Sequence, residues 1–188
     1  MESFPSEKGD VVVLYLIKTI QDNAAYLSEI DGAIGDGDHG INMSKGFTLA
    51  RERLGEHVTL SDGLQTIGNT LLEEIGGAMG PLYGLLFQEM AFACSGKTEV
   101  DKETFGEMLR AAVDAVADIG GAKPGDKTLI DTLIPARDAY ANAIAAGVPF
   151  ADALRAMADG AEHGKESTRD LVAKIGRASR LGERSRGH

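Results

Sequence analysis

The hydrophobic positions of this chain recur at intervals of three and four residues, which is the spacing of one face of an α-helix. The clearest stripe consists of Phe105, Met108, Leu109, Ala112, Val113 and Val116. Asp101 is placed to cap this helix at its N-terminus, and Gly120 with Gly121 to end it. A second stripe follows Pro149 and consists of Phe150, Leu154, Met157, Ala158 and Ala161. Both segments are predicted to be amphipathic helices.

The same spacing predicts further helices at about residues 10–27, 42–54, 61–74, 81–93, 127–146 and 162–175. Residues 11–17 are ambiguous, because their β-branched side chains also suit a buried strand, but the length of the continuing segment favours a helix. Strand-like alternation is nearly absent, and the connections are short and rich in glycine. The sequence therefore predicts an all-α fold, an antiparallel up-and-down barrel or bundle of seven to eight amphipathic helices.

The length of 188 residues fits one domain with a sizeable core. We interpret residues 1–176 as a single helical domain and residues 177–188 as a basic, glycine-rich tail that is either disordered or ordered by an anion. The acidic, proline-containing first ten residues do not resemble a secretory signal. The longest apolar run, residues 11–17, is too short to span a bilayer. We therefore expect a cytoplasmic protein with no membrane partner.

The chain carries a formal net charge of −10, which disfavours binding to nucleic acid or to an anionic membrane surface. The negative net charge does not exclude binding of a nucleotide, because a local loop and a metal ion can outweigh the average charge of the protein. The single cysteine, Cys94, lies in an apolar helical segment, so we expect a buried and unreactive thiol.

The most unusual segment is residues 31–42, which read DGAIGDGDHGIN. Asp31, Asp36 and Asp38 are close enough in sequence to repel one another unless a cation lies between them, and Mg²⁺ or Ca²⁺ prefer such oxygen ligands. The four glycines of this segment allow tight turns and expose backbone amides. These features predict a loop that holds a metal ion and a phosphate.

The residues after Asp38 are predicted to open a helix whose free N–H groups can accept a phosphate. These residues are His39, Gly40, Ile41 and Asn42. His39 lies in a polar loop rather than on an apolar helix face, so we interpret it as a phosphate hydrogen-bond donor before a metal ligand.

Three familiar motifs match parts of the chain but lack the required context. Residues 35–40 fit the dinucleotide fingerprint, yet no strand precedes them. The aspartate loop lacks the downstream ligands of an EF-hand. The sequence from Gly96 to Thr98 resembles the end of a Walker A loop, but the first glycine of that motif would fall at Ala91, inside a predicted helix.

Two further glycine loops and the tail are candidates to complete the site. Residues 76–84 form either a closely packed turn between helices or a second wall of a phosphate cradle. Residues 120–128 contain two lysines and by themselves suit a solvated turn. The tail around Arg177 contains a cluster of guanidinium groups, which are well suited to bidentate contact with phosphate.

Four motifs, taken together and in order, resemble the nucleotide-binding L subunit of bacterial dihydroxyacetone kinase. They are GDGDHGINM, GGAMGPLYG, KPGDKT and GRASRLGERS, and the similarity runs from about residue 10 to the end of the chain. The resemblance implies an antiparallel barrel of eight helices with the nucleotide at one end. It also implies that Asp31, Asp36 and Asp38 bind two Mg²⁺ ions.

The resemblance assigns nucleotide contacts as well. His39, Gly40, Ile41 and Asn42 would contact phosphate, Ala78 and Met79 would lie beside it, Gly120 and Leu129 would line the adenine side, and Arg177 would reach a phosphate from the tail. Met79 stands where the family commonly has serine, which leaves only its backbone amide for phosphate. Family members continue past the position of His188 with a closing helix, which is expected to contact the nucleotide.

The implied reaction is phosphoryl transfer to dihydroxyacetone. ADP would stay bound as a cofactor, be rephosphorylated by a phosphohistidine carrier, the M subunit of the phosphotransferase system, and pass the phosphoryl group to dihydroxyacetone held on a separate K subunit. No residue is assigned as a catalytic nucleophile or base, and a homodimer is left open. The alternatives are an ATP-dependent kinase of a ketose such as erythrulose and a non-catalytic Mg–nucleotide-binding regulatory module.

Overall fold

The structure, a computed structural model, describes residues 2–188 as a bundle of helices. The α-helices are α1 (Gly9–Asp22), α2 (Ala24–Ile34), α3 (His39–Arg53), α4 (Leu60–Glu74), α5 (Met79–Cys94), α6 (Lys102–Gly120), α7 (Ile130–Ala145) and α8 (Phe150–Ser167). Turns of 3₁₀ helix cover Ser6–Lys8, Thr168–Asp170 and Arg177–Ser185. The predicted all-α class is confirmed.

Two strands of three residues each, β1 (Ser3–Pro5) and β2 (Glu99–Asp101), pair antiparallel with Phe4 opposite Val100. This pair was not predicted, because three residues are too few to display an alternating pattern. It joins the start of the chain to the connection between α5 and α6.

Neighbouring helices in the sequence also pack against one another in space. The chain of contacts runs from α2 through each successive helix to α8, and α1 packs on α3 and α4. Short connections between packed neighbours produce the up-and-down arrangement. None of the helices described for residues 2–188 is long and apolar enough to cross a membrane.

The main core lies between α1, α3, α4, α5 and α6. Phe47 of α3 and Phe87 of α5 meet edge to face there, with ring centroids 5.8 Å apart. Cys94 is fully buried in the same core, as predicted, and burial raises the pKa of its thiol. A smaller cluster joins α7 to α8 through Tyr140 and Phe150, which also lie against Phe105 of α6.

Several helix ends differ from the predicted ones. The helix predicted for residues 10–27 is divided at Asn23, and its second part, α2, continues to Ile34. Helix α3 begins at His39, so the predicted loop 31–42 contracts to residues 35–38 and Asp31 lies on a helix. Gly37 permits this tight connection, because its φ of +75° is in the left-handed region that favours glycine.

The prediction of two separate helices, at residues 150–161 and 162–175, is wrong. A single helix, α8, runs to Ser167 and is followed by the 3₁₀ turn Thr168–Asp170. Residues 162–167 contain no proline, and Gly164 stays helical instead of adopting the left-handed conformation of a C-cap, so α8 continues through them. Residues 171–176 are outside any helix.

Asp101 caps α6 as predicted, since its Oδ1 accepts a hydrogen bond from the Thr104 amide at 2.8 Å. We expect Asp101→Ala to lower the free energy of unfolding by about 1 kcal/mol at pH 7, the usual value of an N-cap. That hydrogen bond lowers the pKa of Asp101 below 3.8, so the stabilisation is present above this pH and is lost as the pH falls through the lowered pKa.

Urea denaturation at pH 7 and at about pH 2.5 measures this difference. The control is Glu103→Ala, which removes a first-turn charge of α6 and leaves the cap in place. An equal loss of stability in both variants would show that charge near the helix end, and not the cap, stabilises α6.

Candidate functional site

Three carboxylates converge where α2 meets α3. Asp31 lies in the last turn of α2, and Asp36 and Asp38 belong to the four-residue connection. Each of these residues offers a carboxylate oxygen within 4.8 Å of those of the other two. The structure thus brings together the three predicted metal ligands, although Asp31 reaches them from a helix and not from a loop.

The tail supplies a positive charge to this group. Arg177 donates from Nη1 to Asp36 Oδ2 and from Nη2 to Asp36 Oδ1, the latter at 3.2 Å. The hydrogen bonds from Arg177 hold the pKa of Asp36 below its usual range, and Asp36 in turn raises the pKa of Arg177. The predicted phosphate-binding arginine is therefore beside the predicted metal ligands.

Asp38 provides the test of whether these residues fit a metal ion. Its Oδ1 is shielded from solvent and accepts no hydrogen bond from residues 2–188. Arg177 Nη2 is 3.9 Å away from this oxygen. A buried carboxylate oxygen that lacks a donor is costly unless a cation neutralises it. Three clustered carboxylates with such an oxygen fit a hard divalent cation such as Mg²⁺.

Helix α3 points its N-terminus at the carboxylates. The His39 amide donates to Asp31 Oδ2 at 3.3 Å. The amides of Gly40 and Ile41 belong to the same first turn, where N–H groups have no acceptor within the helix. Burial lowers the pKa of His39 although Asp31 and Asp38 oppose this shift, so the imidazole is neutral near pH 7. A neutral ring can donate one hydrogen bond to an anion.

A cavity of about 700 Å³ adjoins the carboxylates through His39 and Arg177. Its walls come from α5, α6, the 120–130 segment and the 175–178 segment. Four of the predicted nucleotide contacts besides Arg177 line it, namely His39, Ala78, Gly120 and Leu129. Apolar side chains complete it, namely Pro81, Leu82, Val116, Ile119, Ala122, Ile130 and Ile175. The cavity has the size and apolar lining typical of small-molecule sites.

The remaining predicted contacts are not in the wall of this cavity. Ile41 is 67% exposed, Asn42 donates its amide to Asp38 O at 2.9 Å, and the side chain of Met79 packs against the core. Gly40 is buried, and a Cβ there would lie 1.8 Å from the Ala24 carbonyl oxygen. Gly40 therefore allows α3 to approach α2 closely, a role that the predicted phosphate contact did not include.

Asp131 organises the 120–130 segment, and the sequence-based prediction missed it. Its buried carboxylate accepts from the Gly125 amide at 2.5 Å and from the Thr128 amide at 2.8 Å. Thr128 and Asp131 have the spacing of a capping box, which was an available signal. This pairing fixes the segment that carries Leu129 into the cavity.

Lys127 connects the same segment to the tail. It adopts φ of +62°, and its Nζ donates to Thr168 O at 2.8 Å. Close by, Lys174 pairs with Asp126 at 3.4 Å, and Ser185 Oγ accepts from the Ala173 amide at 2.9 Å. The Lys174–Asp126 pair ties the tail to the 120–130 segment, and the Ala173–Ser185 hydrogen bond joins the two ends of residues 173–185; together they position Arg177.

The chain matches the DAK2 domain over residues 33–188. It is 41% identical over 179 residues to PEP-dependent dihydroxyacetone kinase 2, ADP-binding subunit DhaL, of Listeria innocua, a match that covers 90% of this chain and 80% of that one. It is 39% identical over 165 residues to the corresponding ADP-binding subunit DhaL of Escherichia coli, covering 87% of this chain and 79% of that one.

The fold is also similar to that of a solved structure, the dihydroxyacetone kinase from C. freundii in complex with AMP-PNP and Mg²⁺. The TM-score is 0.64 at 24% sequence identity, and the match covers 97% of this chain and 32% of that one. At this identity the similarity supports the fold. Together with the closely matched relatives, the DAK2 match shows that this chain belongs to the DAK2 domain family and groups with its ADP-binding DhaL subunits.

Proposed function

We propose that this chain acts in the cytoplasm as the ADP-binding subunit of a dihydroxyacetone kinase supplied with phosphate by the phosphotransferase system. The observation that carries the proposal is the junction of two features: a cluster of three carboxylates and an apolar cavity that meet at His39 and Arg177. A nucleoside diphosphate has the matching parts, an anionic end that needs cations and an apolar base.

The carboxylates would hold the metal, with two Mg²⁺ ions as the proposed number. When bound, Mg²⁺ neutralises phosphate charge during phosphoryl transfer. The chain's own groups would fix the phosphates in place. The first-turn amides of α3 and the neutral ring of His39 would donate hydrogen bonds to phosphate oxygens, and Arg177 would add a bidentate, charged contact.

The cavity would hold the base. Leu82, Val116 and Leu129 offer apolar surface that excludes water from one end of the nucleotide. We assign the adenine side to Gly120 and Leu129 and the phosphate side to His39, Gly40, Ile41, Asn42, Ala78, Met79 and Arg177. Ile41 and Met79 would act through their backbone amides, and Asn42, whose amide donates to Asp38 O, would act through its side chain.

The partners are part of the proposal. The groups at this site bind and orient phosphates, so the acceptor would be activated on a separate K subunit, and an M subunit would return a phosphoryl group to bound ADP. Val11 and Tyr15 of α1 are 66% and 73% exposed, which offers a surface for a homodimer. The names of the relatives favour dihydroxyacetone over other ketoses.

The metal assignment is tested by Asp36→Asn. We expect the Kd of Mg-ADP, measured by calorimetry, to rise at least about tenfold, the loss that is usual when even a supporting group of a metal site is removed. ADP binding without Mg²⁺ should not weaken, because the lost carboxylate would contact the metal, and its removal frees Arg177 and takes a negative charge away from the phosphates.

The matched control is Asp159→Asn, which removes one carboxylate from an exposed position on α8. It changes the net charge equally and should bind Mg-ADP like the wild type. Unchanged Mg-ADP affinity in Asp36→Asn would contradict the metal site. The presence of ADP in protein purified without added nucleotide would further support a tightly held cofactor.

A further inference from the structure

The contact between Arg177 and Asp36 joins two segments that are 141 residues apart in the sequence. Both terminal nitrogens of the guanidinium take part, since Nη1 and Nη2 each donate to one oxygen of Asp36. Nη2 also lies 3.9 Å from Asp38 Oδ1. A planar guanidinium that faces both oxygens of a carboxylate is the geometry of a bidentate pair. Arg177 therefore engages the two carboxylates of the connection at once.

Arg177 occupies the side of the carboxylate cluster where a bound metal ion would also contact Asp36. The three carboxylates lie within 4.8 Å of one another, and like charges this close repel unless a cation neutralises them. While both oxygens of Asp36 accept from Arg177, a metal ion bound to them would lie beside a guanidinium group of the same sign of charge. The edge formed by Nη1 and Nη2 likewise cannot make a bidentate contact with a phosphate while it faces Asp36. A metal ion and Arg177 therefore compete for Asp36, and Asp36 and a phosphate compete for this edge of Arg177.

The surrounding structure allows the side chain to exchange partners. Arg177 is 67% exposed, and Gly176, Arg177 and Ala178 all line the nucleotide cavity. The preceding backbone is held by the Lys174–Asp126 pair and by the hydrogen bond between the Ala173 amide and Ser185. Rotation of the long side chain can thus carry the guanidinium from Asp36 towards the cavity while the backbone stays in place.

We propose that Arg177 is a built-in counter-ion that neutralises the carboxylate cluster until a metal and a phosphate arrive together. Arg177 would then leave Asp36 to the metal and pair with the phosphate. This inference rests on the proposed function. It predicts that Arg177 weakens the binding of a metal ion alone and strengthens the binding of the metal–nucleotide complex. Metal and nucleotide would therefore bind cooperatively, because each ligand removes an obstacle for the other.

The experiment compares wild type with Arg177→Gln, using Mn²⁺ as the probe in the absence of nucleotide. Free Mn²⁺ is measured by electron paramagnetic resonance. We expect the variant to bind Mn²⁺ about two- to fivefold more tightly, the range set by losing an exposed ion pair as competitor. The difference should shrink in 1 M salt, where exposed charges are screened. The affinity of Arg177→Gln for Mg-ADP, measured by calorimetry, should instead be about tenfold lower than that of the wild type.

The control is Arg180→Gln, which removes an exposed guanidinium from the same tail. Within residues 2–188 Arg180 forms no ion pair. Its loss should therefore leave both affinities within about twofold of the wild-type values, as is usual for a surface substitution. Mn²⁺ affinity that is unchanged or lower in Arg177→Gln, with Mg-ADP still bound by the wild type, would overturn the counter-ion role alone. A wild-type protein that binds neither Mn²⁺ nor Mg-ADP would overturn the proposed function as well.

Discussion

Gly40→Ala is expected to lower the free energy of unfolding by about 3 kcal/mol or more and to weaken Mg-ADP binding in the protein that remains folded. The added Cβ would lie 1.8 Å from the Ala24 carbonyl oxygen and 2.7 Å from Ser28 Oγ. Backbone cannot move aside as a flexible side chain can, so α3 must separate from α2. Because α2 carries Asp31 and α3 begins at His39, their separation would pull the carboxylate cluster apart.

Urea denaturation and calorimetry with Mg-ADP measure the two effects. Gly106→Ala is the matched control, since Gly106 is also inside a helix but its Cβ would lie 3.5 Å from Tyr140, an ordinary contact distance. There the higher helix propensity of alanine should leave stability unchanged or raise it by up to about 1 kcal/mol. A Gly40→Ala protein as stable as the wild type would show that α2 and α3 are not in close contact.

Gly120→Leu is expected to weaken nucleotide binding about 100-fold or more without unfolding the protein. A Cβ at Gly120 would lie 3.5 Å from Leu82 and 3.9 Å from Ala122, both in the cavity wall. The rest of the leucine side chain would therefore extend into the space proposed for adenine. The backbone of Gly120 is not in the left-handed region, so the substitution introduces no conformational strain.

Comparing Gly120→Ala with Gly120→Leu shows whether the size of the side chain at this position determines the loss of affinity. Gly120→Ala adds only a methyl group at ordinary contact distance, and its affinity should fall by less than about tenfold. Calorimetry with Mg-ADP gives the affinities, and thermal unfolding without nucleotide shows whether the fold is kept. Wild-type affinity in Gly120→Leu would mean that adenine binds elsewhere.

The parts of this protein that a sequence can predict are those determined by residues near one another in the chain. Asp31, Asp36 and Asp38 are separated by a single short connection, so their clustering follows once α2 and α3 are known to be adjacent helices. The cap at Asp101 and the apolar stripe of α6 are equally local. Each of these features depends on spacing alone.

Other features depend on contacts that spacing does not encode. The basic tail indicated an anionic partner for Arg177, but nothing in the sequence specified Asp36. Val116 belongs to the stripe that forms the core and also lines the cavity, so periodicity cannot distinguish a residue that lines a cavity from one that fills the interior. For Gly40, the prediction of a phosphate contact concerned its amide, while the tight constraint arises from the neighbouring helix.

The long span between Asp36 and Arg177 has a consequence for folding. A site whose two halves lie near opposite ends of the chain is complete only after the intervening helices have folded and returned the tail to α2. A ligand that binds this site therefore recognises only molecules folded from end to end, and its binding energy adds to the stability of the whole bundle. Partly folded chains, in which the carboxylates lack their distant arginine, would be left without this support.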